Sequence, residues 1–190
     1  YYSIVIFNYI KTGNLSSSPF DGSWTERSFI GMCESTDPAG AVWTDKGFVT
    51  TSSSDRGKNF SRASTNDWSA YFYYNAIDPT YIVTPEGKHY LIHGSWHSGF
   101  ALLQLDATTG KPINKLGEPY ASSASELTTR YGVRIGTRTA GSRWQGSEAP
   151  EIIYKDGYYY LFMAYDGLDV PYNTRVVRSA KIEGPYLDIT

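Results

Sequence analysis

The chain has 190 residues, a formal net charge of −2 and a hydrophobic fraction of 41%, so it is long enough to bury a core. Its charges are mixed in sign and form no basic stripe, which excludes nucleic acid as the expected partner. The sequence contains no apolar run near the ~20 residues that a membrane-spanning helix requires. Its single cysteine, Cys33, excludes a disulfide within the chain. Tyrosine accounts for 17 residues and few segments show helical periodicity, which favours an all-β fold.

The first predicted element is a strand over residues 1–7, where aromatic and β-branched side chains are concentrated. Stretches rich in Ser, Thr and Ala predict loops at 16–19, 50–55 and 121–125. None of them has the character of a linker between domains, so we expect inter-strand loops within one domain. Four arginines, at 130, 134, 138 and 143, are expected to form a solvated loop face.

A longer unit begins where Asp78 precedes Pro79 at the head of the apolar segment 80–83. Proline at the first residue of a strand costs no ladder hydrogen bond, so this acid is predicted to lie at the mouth of a strand. A turn at 84–87, which contains Glu-Gly, joins it to a strand at 88–94, and a third strand follows at 100–105.

The second unit repeats this order from Glu148, with Pro150 predicted as the first residue of an apolar strand and the acid at its mouth. A turn that contains Asp-Gly lies at 155–157, and strands are predicted at 158–164 and 174–179. Each unit is therefore predicted to be an antiparallel meander, and the opening segment 1–7 resembles the second strand of the same unit. Radially repeated four-stranded meanders are the blades of a β-propeller.

The ends of the chain fall at informative positions in this pattern. The sequence begins within a predicted strand and ends just after residues 183–186, which have the composition of an inter-blade turn. A closed propeller removes sheet edges, whereas an open arc leaves them exposed. We therefore expect residues 1–190 to form part of a single β-propeller domain and to be a fragment of a longer protein.

Asp78 and Glu148 are the candidate catalytic residues, because two strand mouths that face one cavity would bring their carboxyl groups together. The alternative is that each carboxylate caps loop amides at the start of its strand.

Several motifs in order resemble glycoside hydrolase family 43, most closely its arabinan-degrading members. Each motif alone is short, and their order and spacing carry the resemblance, which is clearest from residue 75 to residue 187. The motifs are NAIDP (75–79), GSWHSG (94–99), LQLD (103–106), SEAP (147–150), GYYYLF (157–162) and RS through GPY (178–186).

The resemblance implies that residues 1–190 are part of a single catalytic domain, a five-bladed β-propeller that acts with inversion. This chain would cover roughly the middle three blades, without the first and the last. Glu148 matches the family's general acid, and Asp78 matches the aspartate that modulates the pKa of the acid and orients the substrate. The general base of the family has no counterpart in this chain. An inverting mechanism requires acid and base about 6.5–9.5 Å apart, and a nearby anion helps to keep an acid protonated by opposing a second charge.

The resemblance also implies an extracellular or periplasmic glycosidase that acts on α-L-arabinan or a related pentose polysaccharide. Such an enzyme requires no cofactor. Some arabinanases of the family hold a structural calcium, which would be bound outside this segment. Histidines at 89, 93 and 97 are spaced by four, but they lie on a predicted strand and loop, so we expect no metal site. Two alternatives stay open: a carbohydrate-binding propeller without catalysis, and a retaining five-bladed hydrolase of fructans with carboxyl groups about 5–5.5 Å apart.

Six further residues are candidates for substrate binding. Trp96, on the loop after the second strand of its unit, can stack on a sugar face or pack between blades. Trp144, just before the motif of Glu148, has the same two interpretations. Arg175 can bind a sugar hydroxyl, pair with a catalytic carboxylate or form a structural ion pair. The remaining candidates lie in the motifs that carry the resemblance: Asn75, Ser95 and His97.

Overall fold

The computed structural model describes residues 1–6, 11–12, 27–53, 61–62, 73–114, 116, 124–138 and 145–188. Within these residues nearly all regular structure is β, which confirms the all-β prediction. No helix among them is long and apolar enough to cross a membrane. The elements are β1 (Tyr2–Ile6), β2 (Lys11–Thr12), β3 (Arg27–Glu34), β4 (Thr44–Thr51), β5 (Ser61–Arg62), β6 (Thr80–Val83), β7 (His89–His93), β8 (Phe100–Leu105), α1 (Ala124–Tyr131), β9 (Val133–Gly136), β10 (Ser147–Lys155), β11 (Tyr158–Tyr165), β12 (Asn173–Ser179) and β13 (Leu187–Asp188).

Two antiparallel meanders form the main sheets. Strands β6, β7, β8 and β9 are hydrogen-bonded in chain order, and so are β10, β11, β12 and β13. A third sheet has the order β1-β3-β4, and β2 pairs with β5 in parallel. The two repeated units that the sequence predicts are therefore confirmed, each with a short fourth strand in addition to the three predicted ones.

Tight turns close the hairpins where the sequence predicts them. Asp156 and Gly157 join β10 to β11 with φ values of 50° and 85°, and two positive φ values are what a type I′ turn requires. Between β6 and β7, the amide of Gly87 donates to the carbonyl oxygen of Thr84 at 2.9 Å. In each unit the acid lies at the start of the first strand, and this turn lies at the opposite end of the same strand.

The middle sheet is buried on both faces. Leu91 of β7 belongs to a cluster with Ile30 of the sheet β1-β3-β4, whereas its neighbours Tyr90 and Ile92 belong to a cluster with Leu161 of β11. Side chains alternate across a strand, so a sheet covered on both faces needs consecutive apolar residues, as β7 has at 90–92 and β8 at 100–103. The three larger sheets are therefore stacked face to face.

The first strands of the two meanders lie side by side. The hydroxyl of Thr80 donates a hydrogen bond to Oε2 of Glu151 at 2.9 Å. Each of these residues directly follows a proline, Pro79 in one repeat and Pro150 in the other. Equivalent positions of the two repeats thus meet, as they do where blades surround a common axis.

Two of the predicted loops are partly wrong, and the one at 16–19 lies outside the described residues. Residues 50–51 complete β4, and residues 124–125 begin α1. Leu127 and Tyr131, four residues apart on α1, are buried in a cluster with Ala101. Local composition favours a loop there, but packing of an apolar helix face outweighs intrinsic propensity.

Candidate active site

Asp78 occupies a strained turn at the head of β6. Its φ of 53° lies in the left-handed region, which is uncommon for a residue other than glycine. The amide of Gly94 donates to the carbonyl oxygen of Ile77 at 3.0 Å and holds this turn. Oδ2 of Asp78 accepts a hydrogen bond from the amide of Ala149 at 3.1 Å. Because Ala149 directly follows Glu148, this bond joins the two segments that carry the predicted acids.

Glu148 lies at a β-bulge near the start of β10. The register with β11 shifts between Glu148 and Glu151, and Ala149 within the bulge has a φ of 53°. A bulge bends its strand and changes the direction of the side chains it carries. The prediction that this strand starts at Pro150 is wrong, since β10 begins at Ser147 and holds the proline inside the bulge. A bulge tolerates proline because the ladder is already interrupted there.

Three neutral donors hold the carboxyl group of Glu148. Oε1 accepts a hydrogen bond from the hydroxyl of Tyr172 at 2.5 Å. Oε2 accepts one from Nε1 of Trp96 at 2.9 Å and one from Oγ of Ser95 at 3.3 Å. These contacts fix the orientation of both carboxyl oxygens.

The loop at 94–99, which carries two of these donors, has an unusual backbone. Gly94, Trp96 and Gly99 have φ values of 142°, 59° and 93°. A Cβ on Gly94 would lie 2.4 Å from the carbonyl oxygen of Gly99, so this close approach requires glycine. The amide of Trp96 donates to the carbonyl oxygen of Ser147 at 2.9 Å. The loop is thereby attached to the start of β10 and brings the indole to Glu148.

The electrostatics of the site couple its two acids. Burial raises the pKa of Asp78 above the usual aspartate value, the hydrogen bond from Ala149 opposes the rise, and the charge of Glu148 adds to it. The pKa of Tyr172 is raised to about 12, first by burial and then by its hydrogen bond to Glu148. Tyr172 therefore keeps its proton at neutral pH.

Two residues of this region, Tyr172 and Arg138, are not among the catalytic and substrate-binding residues that the sequence predicts. Nη1 of Arg138 donates to Oδ1 of Asp166 at 2.5 Å and to the carbonyl oxygen of Gly146 at 2.9 Å. Its guanidinium lies 4.5 Å from the ring centre of Tyr165. Arg138 is exposed in a loop, as expected, but it also makes these contacts at the site. The loop prediction is wrong for Arg130 and Arg134, which lie on α1 and β9, and Arg143 lies outside the described residues. Local patterns identify neither Arg138 nor Tyr172, because their partners Asp166 and Glu148 are 28 and 24 positions away.

Two predicted substrate residues, Asn75 and His97, are buried. Oδ1 of Asn75 accepts hydrogen bonds from the hydroxyls of Ser28 at 3.0 Å and Ser52 at 3.3 Å. The side chain of His97 is 1% exposed. Both side chains thus lie inside the protein, and direct contact with a sugar stays a prediction.

The other predicted substrate residues differ in position. Ser95 and Trp96 both reach Glu148, so the structure brings these two to the proposed acid. Arg175 is exposed on β12, with its guanidinium 5.8 Å from the ring centre of Tyr165. Trp144 lies outside the described residues. Sugar binding by these residues stays a prediction.

The histidines have separate surroundings. Nδ1 of His93 donates to the carbonyl oxygen of Asn75 at 3.2 Å, and burial lowers the pKa of His93 to about 4. His89 instead hydrogen-bonds to the hydroxyl of Tyr81. In the part of the chain that the structure describes, no group of three or more His, Cys, Asp or Glu side chains could hold a metal ion. A structural calcium bound outside this segment stays a prediction.

Comparison with known proteins identifies relatives over most of the chain. The sequence model described as Glycosyl hydrolases family 43 matches residues 18–189. The extracellular endo-α-(1→5)-L-arabinanase 1 of Bacillus subtilis is 32% identical over 165 residues, which are 85% of this chain and 41% of the relative. The extracellular exo-α-(1→5)-L-arabinofuranosidase ArbA of Cellvibrio japonicus is 33% identical, over 78% of this chain and 38% of that protein.

Solved structures agree with the sequence relatives. The GH43 endo-arabinanase from Bacillus licheniformis has a TM-score of 0.62 at 31% identity, and the match covers 90% of this chain and 48% of that one. The endo-1,5-α-L-arabinanase from Thermotoga petrophila has a TM-score of 0.63 at 30% identity, over 85% and 34% of the two chains. This chain thus spans less than half the length of each relative. Because the family model covers nearly all of its residues, the chain belongs to glycosyl hydrolases family 43, a family of glycosidases.

Proposed function

We propose that the complete protein hydrolyses α-L-arabinofuranosyl linkages of arabinan, or of a related pentose polysaccharide, with inversion of configuration. One observation carries the proposal: the hydrogen bond from the amide of Ala149 to Asp78 places a second carboxyl group beside the segment of Glu148. Glycoside hydrolysis commonly depends on such sets of acids. The relatives named above are arabinan-degrading enzymes, and a Cellvibrio α-L-arabinanase in complex with arabinohexaose has a TM-score of 0.54 at 26% identity.

Glu148 is the proposed general acid, which protonates the leaving oxygen as the glycosidic bond breaks. Asp78 is the proposed modulator, because its negative charge opposes the formation of a second charge on the acid. Its position beside the acid also suits it to orient the substrate. The general base that activates water is assigned to no residue of this chain.

We further propose that the domain is a five-bladed β-propeller in which the three larger sheets are the middle three blades. The contact between β6 and β10 supports this arrangement, because it joins the first strands of two meanders at equivalent positions. A secreted location, extracellular or periplasmic, is proposed because several relatives are named as extracellular enzymes.

Proton NMR of the first-formed sugar tests the stereochemistry. Inversion at an α-L-arabinofuranosyl linkage should yield the β anomer first, because water attacks the face opposite the leaving group. An α anomer as the first product would indicate retention and contradict the proposal. If the full-length protein binds arabinan but releases no sugar, the domain is a carbohydrate-binding propeller.

Debranched arabinan should release its products faster than xylan releases xylose. A site shaped for a five-membered furanosyl ring loses transition-state contacts with a six-membered pyranosyl ring, which lowers kcat/KM. Chromatography of the soluble sugars from the two polymers at equal mass concentration measures the preference. The reverse preference would move the assignment to a xylosidase.

A further inference from the structure

We infer that Tyr172 is a positioning residue, which holds the acidic proton of Glu148 on Oε1, the oxygen that faces the leaving group. The inference rests on the proposed role of Glu148 as the general acid. It identifies the carboxyl oxygen that delivers the proton, and the side of the site on which the leaving sugar lies.

The donors at Oε2 of Glu148 keep the acidic proton away from that oxygen. Nε1 of Trp96 lies 2.9 Å from Oε2, and an indole nitrogen can only donate a hydrogen bond. Oγ of Ser95 supplies a second donor at 3.3 Å. Because the indole cannot accept a proton from Oε2, its hydrogen bond favours the protonated acid with its proton on Oε1.

Oε1 of Glu148 faces a group that can serve both charge states of the acid. The hydroxyl of Tyr172 lies 2.5 Å from this oxygen, and a hydroxyl can either donate or accept. It donates to the ionised carboxylate, and by rotation about its C–O bond it accepts from the protonated acid. Since the pKa of Tyr172 is raised to about 12, its own proton stays in place over the range in which the enzyme would work.

Proton transfer then starts from a defined position. The proton on Oε1 leaves its hydrogen bond to the hydroxyl of Tyr172 and turns to the glycosidic oxygen. It passes to that oxygen as the bond from the oxygen to the anomeric carbon breaks, and the leaving sugar departs as a neutral alcohol. Glu148 is left as a carboxylate, and the hydroxyl of Tyr172 turns to donate to Oε1. Water adds its hydroxyl to the anomeric carbon and gives a proton to the general base. Proton exchange with solvent restores the acid.

The position of Tyr172 in the fold places it at the border of the cleft. It ends the connection between β11 and β12, whose first residue, Asp166, donates its amide to the carbonyl oxygen of Gly146 at 2.8 Å. That bond attaches the connection to the chain just before β10 and Glu148. Tyr172 is 43% exposed, so its ring is accessible to a ligand. Because Oε1 faces this connection, the leaving sugar is expected on the side of Tyr172.

The test is Tyr172→Phe in the full-length protein, which keeps the ring and removes the hydroxyl. On debranched arabinan we expect kcat to fall about 10–100-fold, the effect of losing a hydrogen bond to a charged group, with little change in KM. The alkaline limb of the pH profile for kcat/KM should move to higher pH, because the ionised form of the acid has lost a donor. On nitrophenyl α-L-arabinofuranoside the rate should be nearly unchanged, since nitrophenolate leaves without a proton.

Tyr158→Phe is the matched control, because Tyr158 is 38% exposed and lies at the opposite end of β11 from the connection that ends at Tyr172. It should leave both rates and the pH profile unchanged. Equal losses on the two substrates with an unmoved alkaline limb, in a Tyr172→Phe protein with the wild-type melting temperature, would overturn the inference. If Glu148→Ala itself shows no dependence on the leaving group, the proposed function fails instead. If Glu148→Ala loses more activity on arabinan than on the nitrophenyl substrate but Tyr172→Phe does not, the proposed function stands and only the role of Tyr172 is overturned.

Discussion

Glu148→Ala should lower kcat/KM on debranched arabinan by about 10²–10⁴-fold, the usual scale of general acid catalysis. A sugar alkoxide is a poor leaving group and departs only with a proton, which the alanine variant cannot supply. On an aryl α-L-arabinofuranoside whose phenolate departs unprotonated, the same variant should lose far less activity. Initial rates of the full-length protein on the two substrates measure this difference.

The comparison isolates proton donation because both substrates place the same type of sugar beside the same water and base. Glu86→Ala is a matched control, since Glu86 is exposed in the turn between β6 and β7, at the opposite end of β6 from Asp78. It should leave both rates unchanged. Equal losses on the two substrates, in a Glu148→Ala variant that melts like the wild type, would mean that Glu148 is not the acid.

Asp78→Asn should reduce kcat/KM on arabinan about 10²-fold or more, on the scale of removing one preorganised electrostatic group. Asparagine retains an oxygen that can accept from the amide of Ala149, so the variant chiefly removes the negative charge. Without that charge the second acid loses its proton more easily, and the alkaline limb of the pH profile should move to lower pH. An unchanged alkaline limb with only a higher KM would reduce Asp78 to a substrate contact.

The same substitution should raise the melting temperature at neutral pH. Burial raises the pKa of Asp78, so the unfolded chain, with an ordinary aspartate pKa of about 3.9, releases this proton more readily than the folded protein. The wild type therefore loses stability as the pH rises from about 3.9 through the raised pKa of Asp78. Asparagine has no such proton, so the advantage of Asp78→Asn should be present at pH 7 and disappear in acid.

Asp106→Asn should have the opposite effect and lower the melting temperature at pH 7. The backbone hydrogen bond from Thr109, at 2.8 Å, lowers the pKa of Asp106. This carboxylate stabilises the folded protein above its ordinary pKa, and the contribution is lost as the pH falls through the lowered value. Melting curves of the wild type and both variants from pH 3 to 7 measure the two differences. A lower melting temperature for Asp78→Asn at pH 7 would show that its charge is net stabilising there.

The hairpins of the two meanders were predictable because their causes are local. The Asp-Gly pair at 156–157 demands positive φ values that few residues tolerate, and the structure has them. In contrast, the composition of 121–125 predicts a loop where α1 begins at Ala124, because the burial of Leu127 and Tyr131 depends on a distant strand.

The two acids were found by a pattern that is only approximately repeated. In each copy the residue before the proline has a φ of 53°, but that residue is Asp78 in one copy and Ala149 in the other. Glu148 lies one position earlier, and the bulge in β10 accounts for the offset. The sequence shows that an acid stands near each proline, whereas the bulge that directs Glu148 arises from pairing with β11.

By itself the sequence determined the family, the all-β character, the hairpin turns and the two candidate acids, because motifs, periodicity and turn residues act over a few neighbouring positions. Only the tertiary structure decided which groups surround those acids. Trp96 and Tyr172 hydrogen-bond to Glu148 from 52 and 24 positions away in the sequence. Asp78 accepts a hydrogen bond from the amide of Ala149, which lies 71 positions away. Such contacts depend on how the sheets stack and how the connecting loops bend, and no short stretch of sequence encodes that packing.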